Sequence, residues 1–130
     1  IKDHVMHDEW FEISTETIEA IQQAKKNGNR IIAVGTTTMR VLESAAKKND
    51  IIEPQQNRTN IFVHPPYTFR IVDALLTNFH LPKSTLLMLI SAFAAPGNVS
   101  GRELIMQAYK EAIEKRYRFF SYGDAMFLHL

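Results

Sequence analysis

Residues 76–85 read Leu-Thr-Asn-Phe-His-Leu-Pro-Lys-Ser-Thr and lie between two apolar runs of the chain. Pro82 fixes its own φ and disfavours a helical conformation at the residue before it, so we expect a turn there. Ser84 and Thr85 follow at the point where a helix would begin, with backbone N–H groups free to bind an anion. The simplest interpretation is a strand, a turn and a capped helix, as in many α/β domains.

The composition is that of one globular domain, with 130 residues, 45% apolar and 22% charged. A formal net charge of +1 neither requires nor excludes a nucleic acid partner. The absence of cysteine excludes disulfides, thiolate-bound metals, iron–sulfur clusters and a cysteine nucleophile. Nothing in the sequence indicates secretion, so we expect a cytoplasmic protein. The longest apolar run is about half the ~20 residues of a membrane span, so we expect no membrane segment.

The first part of the chain predicts an extended segment, a helix and a strand followed by another helix. Residues 1–13 alternate loosely between apolar and polar side chains, which favours an extended segment. A helix capped by Ser14 or Thr15 should run to about Asn27. A buried strand is predicted at 30–35 and a helix at 39–48.

His4, His7 and Glu9 lie in the predicted N-terminal extended segment and invite a metal-site interpretation. In a strand, however, the two histidines would point to opposite faces and would not bind one ion together. In a helix they would share a face, but a third ligand at a suitable spacing is not evident. We therefore predict no metal site here and expect substrate or structural polar contacts instead.

The turn after the predicted strand at 30–35 is rich in hydroxyl groups, with Gly35, Thr36 and Thr37 in sequence. Such a turn presents backbone N–H groups and hydroxyls at the carboxyl edge of a sheet, where ligands tend to bind. As a motif it is weak, and a helix that happens to begin with threonines explains it equally well. Arg40 and Glu43 lie three residues apart on the predicted helix and could simply pair with each other.

The second part of the chain predicts further alternation, giving an α/β fold with a mixed or mostly parallel sheet flanked by helices. The helix at 84–95 is apolar on nearly every side, which implies burial on both flanks or an interface. The next helix should begin at a capping box, 100–103, and bury Leu104, Ala108, Ala112 and Ile113. The other predicted elements are a loop at 49–60, a strand at 61–63, an extended segment at 67–72, and strands at 73–77 and 125–128.

Four phrases of the sequence, 4–9, 32–43, 72–86 and 117–126, resemble the S-adenosylmethionine:tRNA ribosyltransferase-isomerase family of queuosine biosynthesis. They occur in that family's order, and the resemblance covers essentially all 130 residues. It implies that residues 1–130 are the C-terminal portion of the family's α/β domain, within a longer chain that also carries an inserted β-barrel domain.

The chain departs from the family's pattern at three places. Thr38 stands where the family usually has serine, which keeps the hydroxyl group. Asn57-Arg58-Thr59 replaces a usual Gly-Trp-Thr, and Pro66 replaces a usual glycine. Because proline and glycine have opposite backbone freedom, the connection at 57–67 should differ from the family's.

The resemblance implies a transferase that moves the ribosyl part of S-adenosylmethionine onto 7-aminomethyl-7-deazaguanine at the wobble position of tRNA. Isomerisation then gives epoxyqueuosine-tRNA, and adenine and methionine are released. S-adenosylmethionine is a co-substrate, and no other cofactor is implied. The partners are this tRNA and S-adenosylmethionine, no membrane is involved, and the full-length protein is expected to be a monomer.

This chemistry requires proton removal beside a sulfonium and protonation of the departing adenine, which are general acid–base steps. The acid–base candidates are Asp73, His80 and Asp124. Asp73 stands within an apolar stretch and must find donors or a cation there, although an aspartate that caps a turn is the simpler alternative. The substrate-binding candidates are Tyr67, Phe79 and Tyr122 for stacking, Arg40, Lys83 and Arg118 for phosphate or carboxylate, and Gly35, Thr36, Thr37, Glu43, Asn78, Ser84, Thr85 and Gly123 around the turns.

These assignments require that the two hydroxyl-rich turns and the Tyr-Gly-Asp turn at 122–124 meet at one edge of the sheet. Other functions are less compatible with the sequence. A class I methyltransferase should show a glycine-rich loop after its first strand, and a radical enzyme needs a cysteine triplet. A noncatalytic tRNA-binding module, or a scaffold fragment without activity of its own, remains an alternative, and we expect the isolated 130-residue piece to be inactive.

Overall fold

The computed structural model describes residues 8–46, 52–80, 84–120 and 123–129. Within these ranges helices and strands alternate along much of the chain, and the α/β class predicted from the sequence is confirmed. The elements are β1 (Glu9–Ile13), α1 (Thr15–Lys26), β2 (Ile32–Val34), α2 (Thr36–Ala45), β3 (Gln55–Thr59), β4 (Ala74–Asn78), α3 (Thr85–Ala94), α4 (Gly101–Glu114) and β5 (Ala125–His129).

The central sheet has the strand order β2-β4-β5 and is mixed, as predicted. Strands β2 and β4 are parallel, with Val34 opposite Leu76, and β4 and β5 are antiparallel, with Asn78 opposite Ala125. The carboxyl ends of β2 and β4 and the start of β5 therefore share one edge. We call this the Gly35 edge and define it by Gly35, Asn78 and Ala125.

A second sheet joins β1 and β3 as an antiparallel pair, with Glu9 opposite Thr59 and Ile13 opposite Gln55. The prediction of a loop at 49–60 is wrong at Gln55–Thr59, which form β3. These residues are polar without an alternating pattern, and they form a strand only by pairing with β1. The strand predicted at 61–63 is absent. There the backbone leaves the ladder, as the N–H of Ile61 donates to Oγ1 of Thr59, although Val63 is buried.

Helix α1 matches its prediction closely. The hydroxyl of Ser14 accepts a hydrogen bond of 3.2 Å from the backbone N–H of Thr17, which is the expected N-cap. Ile18 and Ile21 face the core, and Asn27 forms the C-cap. The local capping signals were sufficient to place this helix.

Helix α2 begins three positions earlier than predicted. Gly35 is its N-cap with φ +93°, a conformation that favours glycine, and Thr36 already belongs to the first turn. The first turn of a helix has no preceding turn to restrict χ1, so β-branched threonines are tolerated there. The threonines are thus the start of the helix and not a separate turn.

Helices α3 and α4 pack against each other beside β5. The hydroxyl of Ser84 accepts from the N–H of Leu87 at 3.2 Å and caps α3, as predicted. Helix α3 is buried along most of its circumference, and its six buried residues are Leu87, Leu89, Ile90, Ser91, Ala92 and Phe93. No described helix has the length and apolar character needed to cross a membrane.

The face that α4 buries differs from the prediction. Ile105 and Tyr109 point inward with Ala112, whereas Leu104 is 52% and Ile113 62% exposed. A Cβ atom at Gly101 would overlap the carbonyl oxygen of Ser91, so α4 touches α3 through glycine and its register follows from that contact. The capping box is also absent, because Ser100 has helical φ and ψ and its side chain makes no cap bond.

One face of the central sheet packs on the core and the other is apolar but open. Ala33 and Leu75 are fully buried on the first face. On the second face Val34 is 64% and Phe127 46% exposed, and Leu76 lies between them in register. Parallel strands are normally covered on both faces, so this uncovered face is unusual for a free-standing α/β unit.

Candidate active site at the Gly35 edge

Three connections of the chain meet at the Gly35 edge. The N–H of Gly35 donates to the carbonyl of Leu76 at 2.8 Å, which ties the β2–α2 junction to β4. The N–H of Phe120 donates to the carbonyl of Phe79 at 3.2 Å, which ties the connection before β5 to the end of β4. Two of the three turns expected at one edge, the turn at Gly35 and the turn before β5, therefore lie beside the end of β4.

The candidate hydroxyl groups lie in the first turns of α2 and α3. Thr36 is buried and Thr37 exposed in the first turn of α2. Ser84 and Thr85 are half-buried at the start of α3, where the Ser84 hydroxyl is already occupied as a cap. Helix α2 begins at the Gly35 edge, so the backbone N–H groups of its first turn and the positive end of its dipole favour an anionic ligand there.

His80 is the half-buried titratable group at this edge. Its Nε2 lies 3.0 Å from Oγ1 of Thr77, and its backbone N–H donates to the hydroxyl of Tyr109 at 2.7 Å. Burial lowers the pKa of His80 below its ordinary value of 6.5. The imidazole is therefore mainly neutral near pH 7 and able to accept a proton.

Tyr109 was not singled out from the sequence. It is 2% exposed, and burial raises the pKa of its hydroxyl, although the bond from His80 acts in the opposite direction. Its position on α4 looks like an ordinary core aromatic, so no local signal indicates that its hydroxyl would hold the backbone of His80.

Asp124 closes the connection before β5. Its carboxylate accepts from the N–H of Arg118 at 2.7 Å, and its own N–H donates to the carbonyl of Arg118 at 2.8 Å. The N–H of Gly123 donates to the carbonyl of Phe120 at 2.9 Å in the same turn. Asp124 and Arg118 are exposed next to the Gly35 edge, whereas Lys83 and Tyr122 lie outside the described residues.

Asp73 is not brought to this edge. It precedes β4, whereas Asn78 ends it, so at ~3.3 Å per residue the two are on the order of 15 Å apart. The Asp73 carboxylate accepts a 2.8 Å hydrogen bond from the N–H of Ile31. This corrects the expectation that Asp73 lies beside the other candidates and agrees with the alternative of a carboxylate that satisfies a turn.

Glu43 also has a different environment from the one predicted. It is 1% exposed, and its carboxylate accepts from the backbone N–H groups of Arg70, Ile71 and Val72 at 2.8, 2.8 and 3.1 Å. It does not pair with Arg40. The Tyr67 hydroxyl donates to it at 3.3 Å, and burial together with this carboxylate raises the pKa of Tyr67 to about 12. Glu43 and Tyr67 thus hold the segment that leads into β4.

Phe79 is part of the core and not an open stacking surface. It is 4% exposed, and its ring centroid lies 4.9 Å from that of Phe119 and 5.3 Å from that of Tyr109. Tyr117 contacts it edge-on at 6.0 Å. Because these rings surround it, the expectation that Phe79 stacks on a base does not fit its environment.

Arg40 is the buried cation nearest to the start of α2. The residue is 6% exposed, and its Nη2 lies 3.2 and 3.3 Å from the two carboxylate oxygens of Glu9. Its Nε and Nη1 are buried and have no acceptor among the described residues. From the sequence Glu9 is expected to make a substrate or structural polar contact, but nothing local indicates a partner 31 residues away.

The comparisons with known proteins agree on one family. The family described as "Queuosine biosynthesis protein" matches residues 1–128. An S-adenosylmethionine:tRNA ribosyltransferase-isomerase from Natranaerobius thermophilus is 56% identical over 128 residues, which make up 98% of this chain and 36% of that protein. The crystal structure of an S-adenosylmethionine tRNA ribosyltransferase from Thermotoga maritima is similar with a TM-score of 0.79 and 47% identity, over 91% of this chain and 39% of that one.

The chain therefore spans little more than a third of the length of these relatives. The family resemblance in the sequence and the match to residues 1–128 point the same way, and the fold is shared with a protein 47% identical. This chain belongs to the queuosine biosynthesis protein family, in which its named relatives are S-adenosylmethionine:tRNA ribosyltransferase-isomerases.

Proposed function

We propose that this chain is the C-terminal portion of an enzyme that transfers the ribosyl moiety of S-adenosylmethionine to tRNA. The acceptor is 7-aminomethyl-7-deazaguanine at the wobble position, and isomerisation gives epoxyqueuosine-tRNA with release of adenine and methionine. The observation that carries the proposal is the Gly35 edge, where three phrases of the family resemblance meet around His80. The names of the relatives support the same reaction.

His80 is the residue best suited to proton transfer in this proposal. A neutral, half-buried imidazole can remove a proton near pH 7, and its position is fixed by Thr77 and Tyr109. Asp124 is a second candidate, although its carboxylate is already engaged with the N–H of Arg118. We assign Asp73 to the support of β2 because of its bond to Ile31 and its distance from the edge.

The tRNA would approach the exposed side of this edge. Arg118 is exposed there and is suited to a phosphate, since phosphate contacts position a nucleic acid without reading its sequence. Thr37 and the first-turn N–H groups of α2 can bind hydroxyl groups of S-adenosylmethionine. Lys83 and Tyr122 stay predicted substrate contacts.

The test is an adenine-release assay on the full-length enzyme with tRNA that carries the aminomethyl base. Replacing His80 by Ala should lower turnover at least ~100-fold, the usual size of a general acid–base contribution. His129→Ala is the matched control, because His129 ends β5 opposite Ala74 and lies away from the Gly35 edge. Equal turnover in both variants would remove His80 from the mechanism, and no adenine release by the wild type would contradict the proposed reaction.

A scaffold role for the isolated piece is the second candidate. The observation that favours it is the open apolar face formed by Val34, Leu76 and Phe127, which a self-sufficient domain would cover. We therefore expect no turnover from residues 1–130 alone under conditions in which the full-length enzyme is active. Adenine release by the isolated piece would contradict this.

A further inference from the structure

We propose that Arg40 binds the carboxylate of the methionine moiety of S-adenosylmethionine, and that Glu9 occupies the guanidinium until the substrate displaces it. The inference rests on the function proposed above and names one contact of its small-molecule substrate.

The guanidinium of Arg40 lacks the partners that a buried cation needs. An arginine stays charged and carries five N–H donors, and a buried charge without acceptors is costly. Nε and Nη1 find no acceptor in the described ranges, so the observed contacts use a single nitrogen. Native structures rarely leave such groups unsatisfied, which points to an acceptor that binds there.

Glu9 is a poor final partner for this cation. Both of its oxygens approach the same nitrogen at 3.2 and 3.3 Å, whereas charge-assisted bonds are usually ~2.7–2.9 Å and a paired carboxylate bridges two nitrogens. The Glu9 side chain is 44% exposed, so water can solvate its carboxylate once a ligand has displaced it from Arg40. A ligand carboxylate that used two nitrogens of Arg40 would replace it favourably.

The acid on α2, Glu43, cannot be the missing acceptor for Arg40. Glu43 lies three residues further along the helix, and its two oxygens are already shared among three backbone N–H groups and the hydroxyl of Tyr67. Arg40 and Glu43 therefore have different hydrogen-bond partners, although both are on α2.

The position of Arg40 favours a small carboxylate over a tRNA phosphate. Thr36 and Arg40 are four residues apart, so they share one face of α2, and both are buried. At ~1.5 Å per residue, Arg40 lies about 6 Å along the helix from Thr36 at the Gly35 edge. A group 6% exposed is out of reach of a polynucleotide backbone, whereas the end of a small molecule held at the edge can extend to it.

The experiment compares S-adenosylmethionine with its decarboxylated analogue, which keeps the sulfonium and the nucleoside but has no carboxylate. For the full-length wild type we expect kcat/KM and the dissociation constant to favour S-adenosylmethionine by ~10- to 100-fold, the range of one charged hydrogen-bonded contact. Dissociation constants are measured by calorimetry with and without unmodified tRNA, so that binding is seen apart from turnover.

Three variants complete the test. The ratio is the preference for S-adenosylmethionine over its decarboxylated analogue, in dissociation constant and in kcat/KM. Arg40→Met should bring this ratio close to one. Arg40→Lys should lower it less, because a point charge replaces a planar fork. Glu9→Gln should raise the ratio, because a neutral amide competes less strongly than a carboxylate with the substrate for the guanidinium of Arg40. Arg58→Met is the matched control, since Arg58 pairs with Asp8 at 3.1 Å on the exposed surface and its loss should leave the ratio unchanged.

The ratio is measured within each variant, so a general loss of stability cancels from it. If Arg40→Met does not fold, the opposite shifts expected for Arg40→Lys and Glu9→Gln still test the inference. A wild type that binds both compounds equally, or an Arg40→Lys ratio equal to that of the wild type, would overturn it. Absence of adenine release by a wild type that still prefers the carboxylate would instead contradict the proposed reaction and leave the binding site supported.

Discussion

The carboxylate of Glu43 in α2 accepts a 2.8 Å hydrogen bond from the backbone N–H of Ile71, which lies just before β4. The neighbouring N–H groups of Arg70 and Val72 donate to the same side chain. A single buried acid thus replaces the strand partner that this piece of backbone lacks, and it fixes where β4 begins.

Replacing Glu43 by Gln should therefore destabilise the protein. The amide has one acceptor oxygen, and its NH₂ group would face backbone donors, so we expect a loss of about 2–3 kcal/mol in the free energy of unfolding. Urea denaturation measures it. Glu19→Gln on the exposed side of α1 is the control and should change stability by less than about 0.5 kcal/mol. A Glu43→Gln loss as small as that of the control would show that the carboxylate is not needed.

Asp73→Ala should affect stability more than activity. The substitution removes the acceptor for the buried N–H of Ile31 and should cost about 1–2 kcal/mol, measured by urea denaturation. Turnover in the adenine-release assay should fall by less than ~10-fold, against the ~100-fold expected for His80→Ala. A decrease for Asp73→Ala equal to that for His80→Ala would return Asp73 to the catalytic set.

The stability of the protein should depend on pH through His80. Because burial lowers the pKa of His80 in the folded state, the unfolded state, with a pKa near 6.5, binds more protons between the two values. The free energy of unfolding therefore rises with pH across that window. The contribution of His80 is fully present above about pH 6.5 and is lost as pH falls through the folded-state pKa.

The measurement is the difference in unfolding free energy between the wild type and His80→Gln from about pH 5 to pH 8. We expect this difference to increase with pH up to about 6.5 and then to level off. His129→Gln, at the exposed end of β5, is the matched control. A difference that decreases with pH would mean that the folded state stabilises the imidazolium.

Gly101→Ala tests the contact between α3 and α4. Alanine favours a helix over glycine by about 1 kcal/mol, but the added Cβ would overlap the carbonyl oxygen of Ser91. Overpacking of this kind costs about 1–3 kcal/mol or more, and we expect a net loss of about 2 kcal/mol in urea denaturation. Ala108→Gly, on the exposed side of α4, is the control for helix propensity alone. A stability gain for Gly101→Ala would show that the helices separate easily.

The elements set by local signals were predictable from the sequence. The capping hydroxyl of Ser14 and the cap at Ser84 gave the starts of α1 and α3, because each acts within its own first turn. Strand β3 was missed because Gln55–Thr59 forms a strand only through a partner more than forty residues earlier in the chain. The inward face of α4 was misjudged because Gly101 and Ser91 set its orientation.

The same distinction between local and distant contacts decides which features of the candidate site were predictable. A common edge for the Gly35 turn and the turn before β5 follows from the order of strands and helices and was predictable. The partners of Arg40 and Glu43 were not, since the contacts to Glu9 and to residues 70–72 span about thirty positions of sequence. A helix face shows which side chains are near each other but not which distant backbone will reach them.

The open side of the central sheet has a practical consequence for the production of residues 1–130. Val34, Leu76 and Phe127 leave apolar surface in water, at ~25 cal/mol for each Å² that burial would remove. Sulfate and phosphate salts strengthen that tendency. The recombinant chain should bind phenyl-type resins tightly and precipitate at modest ammonium sulfate concentrations, because a net charge of +1 gives little repulsion between molecules.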